Sequence, residues 1–340
     1  MDLNNFNFGA ELSEAIDHIK VWPKDGEMTA LIDGDLIPYI IGYSVDPMMW
    51  LRAQNRVADG HCYGIIDTPE FAQIQQKICM VLNDWVEQPK CDSAVIYMTD
   101  SAKNFRLNLA IQRKYKGTRK SEKPPFFYES RDFMINHLGA ILSDGEEADD
   151  LLTTHLWENQ FNGLIENGIE LGSATHKELA RFVMVSKDKD LAISPGWHYS
   201  ISERKMHWVT PLGELLPQWN GDKIKKLRGT GLKFFYSQML QGDQVDNYTG
   251  IPRMRLKDIY DLLEPCKSER ELYNATLSAY RKKYGDEAYI ANYRGGGKFL
   301  KPYEIMHEQG RLAHMQRFKG EIWRSDKVPV LWGSDGAIWK

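Results

Sequence analysis

The stretch Thr29-Ala30-Leu31-Ile32-Asp33-Gly34-Asp35 is a short apolar run that ends abruptly in acid. Its length and β-forming composition, closed by turn chemistry, predict a buried strand. Two more runs have the same design. Ala94 to Met98 is followed by Thr99-Asp100, and Phe182 to Val185 by Ser186-Lys187-Asp188-Lys189-Asp190. Between them lie segments with helical spacing, such as Pro69 to Val86, apolar at Phe71, Ile74, Ile78, Val81, Leu82 and Trp85, and Ala148 to Trp157. Strands alternating with long helices predict an α/β fold with a mostly parallel central sheet flanked by helices.

The pattern changes after Pro211. Leu232 to Leu240 and Leu256 to Leu263 read as helices around a turn-rich hinge, Gly242 to Pro252. From Glu264 onward helical segments dominate, broken by Gly295-Gly296-Gly297. This predicts an α/β body over 1–210 and a helical C-terminal part over 211–340. The first 27 residues are polar, weakly patterned, and read as helix and loop.

The chain has 340 residues, 42% hydrophobic and 26% charged, which suits a globular protein and excludes a disordered tail or a coiled coil. Mean hydropathy is −0.49, and no apolar run approaches the roughly 18–20 residues a bilayer requires. No secretory signal pattern opens the sequence. Cys62, Cys79, Cys91 and Cys266 form no C-x-x-C pair, so we expect reduced thiols in a cytoplasmic protein and no zinc site. Net charge is −4, but charge is segregated. Lys103, Arg106, Arg113, Lys114, Lys116, Arg119, Lys120 and Lys123 face one acid, Glu122, within a single stretch. Such a strip is either a solvated face or a surface for a polyanion.

Acids end all three strand runs. In an open parallel sheet, ligands bind beyond the carboxyl ends of the strands, so Asp33, Asp35, Asp100, Asp188 and Asp190 are expected along one edge. Asp also suits turns, which accounts for a single instance better than for three. Two further groups sit at helix starts and turns: Glu146-Glu147-Ala148-Asp149-Asp150 and Gly242-Asp243-Gln244-Val245-Asp246-Asn247. A favourable helix dipole explains one or two acids in a first turn, not four in five positions. A divalent cation would relieve the crowding. Mg²⁺ prefers carboxylate oxygens and water, and two ions about 3.5–4 Å apart are the recurring arrangement for phosphodiester hydrolysis. The P-loop, H-E-x-x-H, G-x-S-x-G and G-x-G-x-x-G patterns are absent, which argues against the corresponding enzyme classes.

Five motifs occur in order: Asp33-Gly34, Tyr115-Lys116-Gly117-Thr118-Arg119, Glu147-Ala148-Asp149-Asp150, Ser186-Lys187-Asp188-Lys189-Asp190-Leu191, and Gly242-Asp243 with Asp246-Asn247 and Gly250-Ile251-Pro252. Together, across roughly residues 28–260, they resemble the structure-specific 5′-nuclease family. That family includes flap endonucleases, the 5′-nuclease domain of bacterial DNA polymerase I and stand-alone phage 5′→3′ exonucleases. The last branch is the most similar, and Gly310-Arg311-Leu312-Ala313 with Arg317-Phe318 resembles it too.

The resemblance implies a set of roles. Asp33, Asp100, Glu147 and Asp149 would hold one metal ion, and Asp188, Asp190 and Asp243 a second, with Asp150 and Asp246 in support. The ions would be Mg²⁺, with Mn²⁺ able to substitute. Lys116 and Arg119 would grip the scissile phosphate. Residues of about 101–145 would form a basic arch, in which Lys103, Arg106, Arg113, Lys114, Tyr115 and Lys120 touch DNA. Phe105, Tyr115, Phe126, Phe127 and Tyr128 offer rings for stacking or for the core. The implied activity is 5′→3′ exonucleolytic cleavage of double-stranded DNA with a 5′ end, or of RNA in an RNA–DNA hybrid, in phage replication or recombination with possible replication-protein partners.

The motif after Gly250 departs from the family pattern. A later glycine of the helix-turn-helix loop is missing, and Arg253, Arg255 and Lys257 stand there instead, available for phosphates. Asp35 has no role in the shared pattern. The alternatives are a flap endonuclease or ribonuclease H-like primer remover, a PIN-like ribonuclease, and a non-catalytic structure-specific DNA-binding protein.

Overall fold

The computed structural model describes residues 27–119 and 122–324. The expectation for the first residues, and the DNA-contact role of Lys120, lie outside the described residues.

Strand β1 (Thr29–Asp33) is fully buried and hydrogen-bonded on both sides in parallel, to β2 (Ser93–Met98) and β4 (Phe182–Ser186). The register sets Asp33 opposite Tyr97 and Ile32 opposite Val185. The three runs predicted from sequence are therefore adjacent and share one carboxyl edge. The sheet continues outward through β3 (Ile141–Leu142) on one side and β5 (Gly196–Ser200) and β6 (Lys205–Val209) on the other, in the order β3-β2-β1-β4-β5-β6. Only the β5–β6 pair is antiparallel.

Side chains alternate across this sheet, as the period of a strand requires. Ala30, Ile32, Ile96, Met98, Val183 and Val185 join one apolar layer with Phe71, Ile74, Ile78, Leu82 and Trp85 of the helix Pro69–Glu87. That helix starts on Thr68, whose hydroxyl accepts the Phe71 N–H at 3.1 Å, with Pro69 in its first turn. Leu31, Val95, Tyr97, Phe182 and Met184 face the other way, against Leu152, Leu156, Trp157 and Phe161. Leu152 and Leu156 belong to the helix Ala148–Leu156.

A third apolar cluster takes residues from Leu215 to Trp323, plus Ala110 and Tyr115 from the basic strip. Its helices are Gly231–Gln241, Leu256–Leu263, Glu269–Tyr284 and Pro302–Ala313. It is not wholly helical. Two antiparallel hairpins depart from the helical expectation: β7 (Leu215–Asn220) with β8 (Lys223–Gly229), and β9 (Ala288–Ala291) with β10 (Gly297–Leu300). The first turns through Gly221-Asp222, with Gly221 at φ +56°. Among the described residues, no helix is long and apolar enough to cross a membrane.

Candidate active site

The site grows from the carboxyl edge of β2, β1 and β4. Asp33, the last residue of β1, is 5% exposed. Its carboxylate accepts the Asp35 N–H at 3.2 Å and the hydroxyl of Ser186, the last residue of β4, at 3.1 Å. Gly34 follows because nothing larger fits. An added Cβ would lie 2.7 Å from Ile96 Cγ2 and 2.9 Å from the Tyr97 carbonyl oxygen. Asp35 has partners of its own. It accepts the Thr99 N–H and pairs with Arg131 at 2.9 Å, while Arg131 also donates to the Thr99 carbonyl. Asp35 thus clasps the ends of β1 and β2, which supplies the role the shared pattern did not give it.

The helix Ala148–Leu156 brings its first turn to the same edge, where Ala148 N–H donates to Thr99 Oγ1 at 2.9 Å. This sets Asp149 beside Asp33 and Asp188. Burial, then the charges of Asp35 and Asp188, push the Asp33 carboxyl up to about 8. Burial, then Asp33, Asp188 and Glu147, raise Asp149 well above the carboxylate range. Asp188 stands on the exposed loop after β4, and its carboxylate accepts the Asp190 N–H at 2.9 Å. Asp190 is pushed up to about 7 by burial and then by Asp188. Asp188 therefore lies within the electrostatic reach of acids on both sides of it.

The remaining acids already hold cationic side chains. Glu147 receives Lys116 on Oε1, and Arg106 and the Tyr115 hydroxyl on Oε2. Burial pushes its pKa up, but Arg106 and Lys116 prevail and hold it down at about 2. Asp246 accepts Tyr115 Oη at 3.0 Å and Arg119 Nη2 at 3.0 Å, with Lys116 Nζ 3.8 Å away, and burial raises its pKa. Asp243 receives Lys189 Nζ and the N–H groups of Val245 and Asp246. These hold its carboxyl low despite burial. Lys189 also sits 3.5 Å from Asp190, which further accepts Gln238 Nε2. Lys116 itself has φ +53°, and its N–H is bonded to the Asp246 carbonyl at 3.0 Å. The backbone therefore fixes where its side chain starts, and Glu147 holds its ammonium group.

Two expected contacts are corrected. Arg106 is 1% exposed and does not belong to a DNA-facing surface. Its guanidinium forms a two-pronged pair with Asp150 at 2.6 and 2.7 Å, and donates to the carbonyls of Leu312 and His314. Tyr115 is buried as well, and its hydroxyl is spent on Glu147 and Asp246. Asp150 is 0% exposed, and both its oxygens are engaged, by Arg106, the Glu147 N–H and the Gln316 N–H. It braces Glu147 and has no oxygen left to offer a cation. Asp100 turns its carboxylate into the following loop, accepting the Ala102 N–H at 3.0 Å. Phe126 and Phe127 are core residues, with Phe126 edge-on to Trp50 at 4.7 Å, whereas Tyr128 is exposed.

Lys103, Arg113, Lys114, Arg119, Arg253, Arg255 and Lys257 all reach solvent. Lys103 pairs with Asp144, Arg255 with Asp258 and Lys257 with Asp261, exposed contacts that cost little to exchange. Arg253 adopts φ +66°, a left-handed conformation that favours glycine.

Among the described residues, no three acids are drawn closely enough to share one ion between them. Mg²⁺ seldom needs three, because it retains several waters and takes one or two carboxylates. Asp33, Asp149 and Asp188 offer oxygen donors only, crowd one another electrostatically, and make no ion pair with a basic side chain among the described residues. That chemistry fits a hard cation. Sequence reasoning missed Ser186, Lys189, Arg131 and Gln238 as parts of the site. Lys189 lies in plain view between two motif acids; Gln238 carries no local signal.

No protein-family model matches the chain, and no curated protein matches it. Solved structures from bacteriophage T5 are similar to it. One is the D15 protein co-crystallised with metal ions: 13% identity, covering 84% of this chain and 85% of that chain, TM-score 0.41. A second is the 5′-exonuclease with bound divalent zinc ions: 12% identity, 84% and 88% coverage, TM-score 0.44. A third is the D15 flap endonuclease in a pseudo-enzyme–product complex with DNA and metal ions: 12% identity, 84% and 98% coverage, TM-score 0.39. At such identities and overlaps, the functional reading has to rest on the side chains.

Proposed function

We propose that the chain is a divalent-metal-dependent 5′-nuclease that hydrolyses phosphodiester bonds from DNA 5′ ends, as a 5′→3′ exonuclease, and accepts RNA in RNA–DNA hybrids. The observation that carries this reading is the mutual crowding of Asp33, Asp149 and Asp188 at one sheet edge, with no basic side chain paired to them among the described residues, next to Lys116 and Arg119. An acid cluster of this kind repels a polyanion unless cations intervene.

One or two of Asp33, Asp149 and Asp188 would hold one ion, and one or two of Asp188, Asp190 and Asp243 a second, with water completing each shell. Mg²⁺ or Mn²⁺ would supply Lewis-acid polarisation of the phosphate and a lowered pKa for water. Lys116 and Arg119, now resting on Glu147 and Asp246, would turn to the scissile phosphate and neutralise its developing charge. Glu147 and Asp246 fix where those cations wait. Arg106, Asp150 and Tyr115 keep Glu147 in place from behind. The exposed Arg113, Lys114, Arg253, Arg255 and Lys257 suit the phosphates of a duplex, an attraction weakened by salt.

A DNA duplex labelled at its 5′ terminus tests the polarity and the metal together. With Mg²⁺, the label leaves early as short products, and EDTA stops its release. Retention of the 5′ label while the 3′ end shortens contradicts the reading.

A further inference from the structure

The hairpin β9–β10 sets exposed rings among basic side chains. Residues 281–301 carry Arg281, Lys282, Lys283, Arg294, Lys298 and Lys301 against only Asp286 and Glu287, in a chain whose net charge is −4. Tyr289 and Phe299 are paired across the two strands, with ring centroids 5.6 Å apart, yet remain 57% and 64% exposed. Gly297 follows the same logic. A Cβ there would lie 2.7 Å from the Tyr289 ring, so the absent side chain lets the tyrosine lie against the strand. The connecting loop adds Tyr293, exposed and covered on one side by the Arg294 guanidinium at 4.4 Å.

This hairpin is stapled to the root of the basic strip. Tyr293 N–H donates to the Ile111 carbonyl at 3.0 Å, and Arg294 Nη1 to the Ala110 carbonyl at 2.7 Å. Glu308 fixes the same segment by accepting the N–H groups of Ile111 and Gln112. Arg113 and Lys114 follow directly. The hairpin is therefore fixed beside the segment that carries Arg113 and Lys114. Cations in the last turn of the helix Glu269–Tyr284 also suit its dipole. The dipole does not account for two rings left in water beside them.

We infer that this hairpin is a second nucleic-acid contact, one that takes single-stranded DNA attached to the substrate duplex. Unpaired bases present free faces for Tyr289 and Phe299, which paired bases do not, and the surrounding cations track the phosphates. The inference depends on the nuclease reading only for the identity of the polymer.

Binding in EDTA, where nothing is cleaved, separates the two. The probes are a short duplex with an oligothymidine tail and the same duplex blunt. Tyr289→Ser combined with Phe299→Ser lowers affinity for the tailed duplex by about tenfold or more and leaves the blunt duplex unchanged. Lys282→Glu with Lys298→Glu makes the salt dependence of tail binding shallower, by about 0.7 in log–log slope for each phosphate no longer neutralised. All four side chains are exposed, so melting temperatures should match the wild type. Tail affinity that is unchanged in both variants overturns the inference, whether or not the enzyme is active. Tail affinity that falls in a protein unable to cut DNA supports it and removes the nuclease reading alone.

Discussion

Asp188→Ala abolishes turnover while leaving the protein folded. The loss is on the order of 10³-fold, since one preorganised charge-stabilising group is commonly worth 10²–10³, and here its removal weakens cation binding by acids on both sides. Asp188 is exposed, so the apolar core is untouched. The stability effect has an unusual sign. Burial, then the charges of Asp35 and Asp188, push the Asp33 carboxyl up to about 8 in the folded protein, from about 4 when unfolded. The folded state then binds more protons than the unfolded state between those values, and metal-free stability falls as pH rises toward 8. Removing the Asp188 charge lowers the folded pKa of Asp33 and lessens that cost. In EDTA at pH 8 the variant should melt at or above the wild-type temperature. A steady-state assay showing wild-type turnover, or a lower melting temperature at pH 8, contradicts this account of Asp188.

Asp150→Ala has the opposite character. Arg106 is buried, and Asp150 is its two-pronged partner. Truncating Asp150 strands a buried guanidinium and leaves the N–H groups of Glu147 and Gln316 without their acceptor. Breaking a buried pair in this way costs about 3–5 kcal/mol. The damage should extend beyond the helix start, because Arg106 also holds the carbonyls of Leu312 and His314. The pair ties the segment after the helix Pro302–Ala313 to Glu147. Denaturant unfolding measures the effect, with the midpoint moving far below that of the wild type. A loss under about 1 kcal/mol would show that the pair is dispensable.

Much of the sheet is legible because its strands are short apolar runs ending in acid. Thr29–Asp33, Ser93–Met98 and Phe182–Ser186 lie within a residue of where the patterning puts them. The edge strands are not legible. β3 has only two residues, and β5 and β6 mix aromatics with polar residues, since each faces solvent in part. The hairpin β7–β8 carries a turn signal in Asn220-Gly221-Asp222, but the basic residues around it look like a helix surface. Within the site, local motifs place the acids on one edge. They do not say which acids are bare and which are bound. Arg106 and Lys114 look alike in the strip, yet one is buried against Asp150 and the other reaches solvent. That difference comes from the C-terminal segment around Leu312 and His314, about two hundred residues away in sequence.

Anomalous diffraction from crystals grown with Mn²⁺ tests the central claim most directly. Manganese is expected at the sheet edge, bound by one or two of Asp33, Asp149 and Asp188 and otherwise by water, with a second ion toward Asp190 and Asp243. Crystals with no manganese there, or with manganese bound only at Asp35 or Asp100, would contradict it.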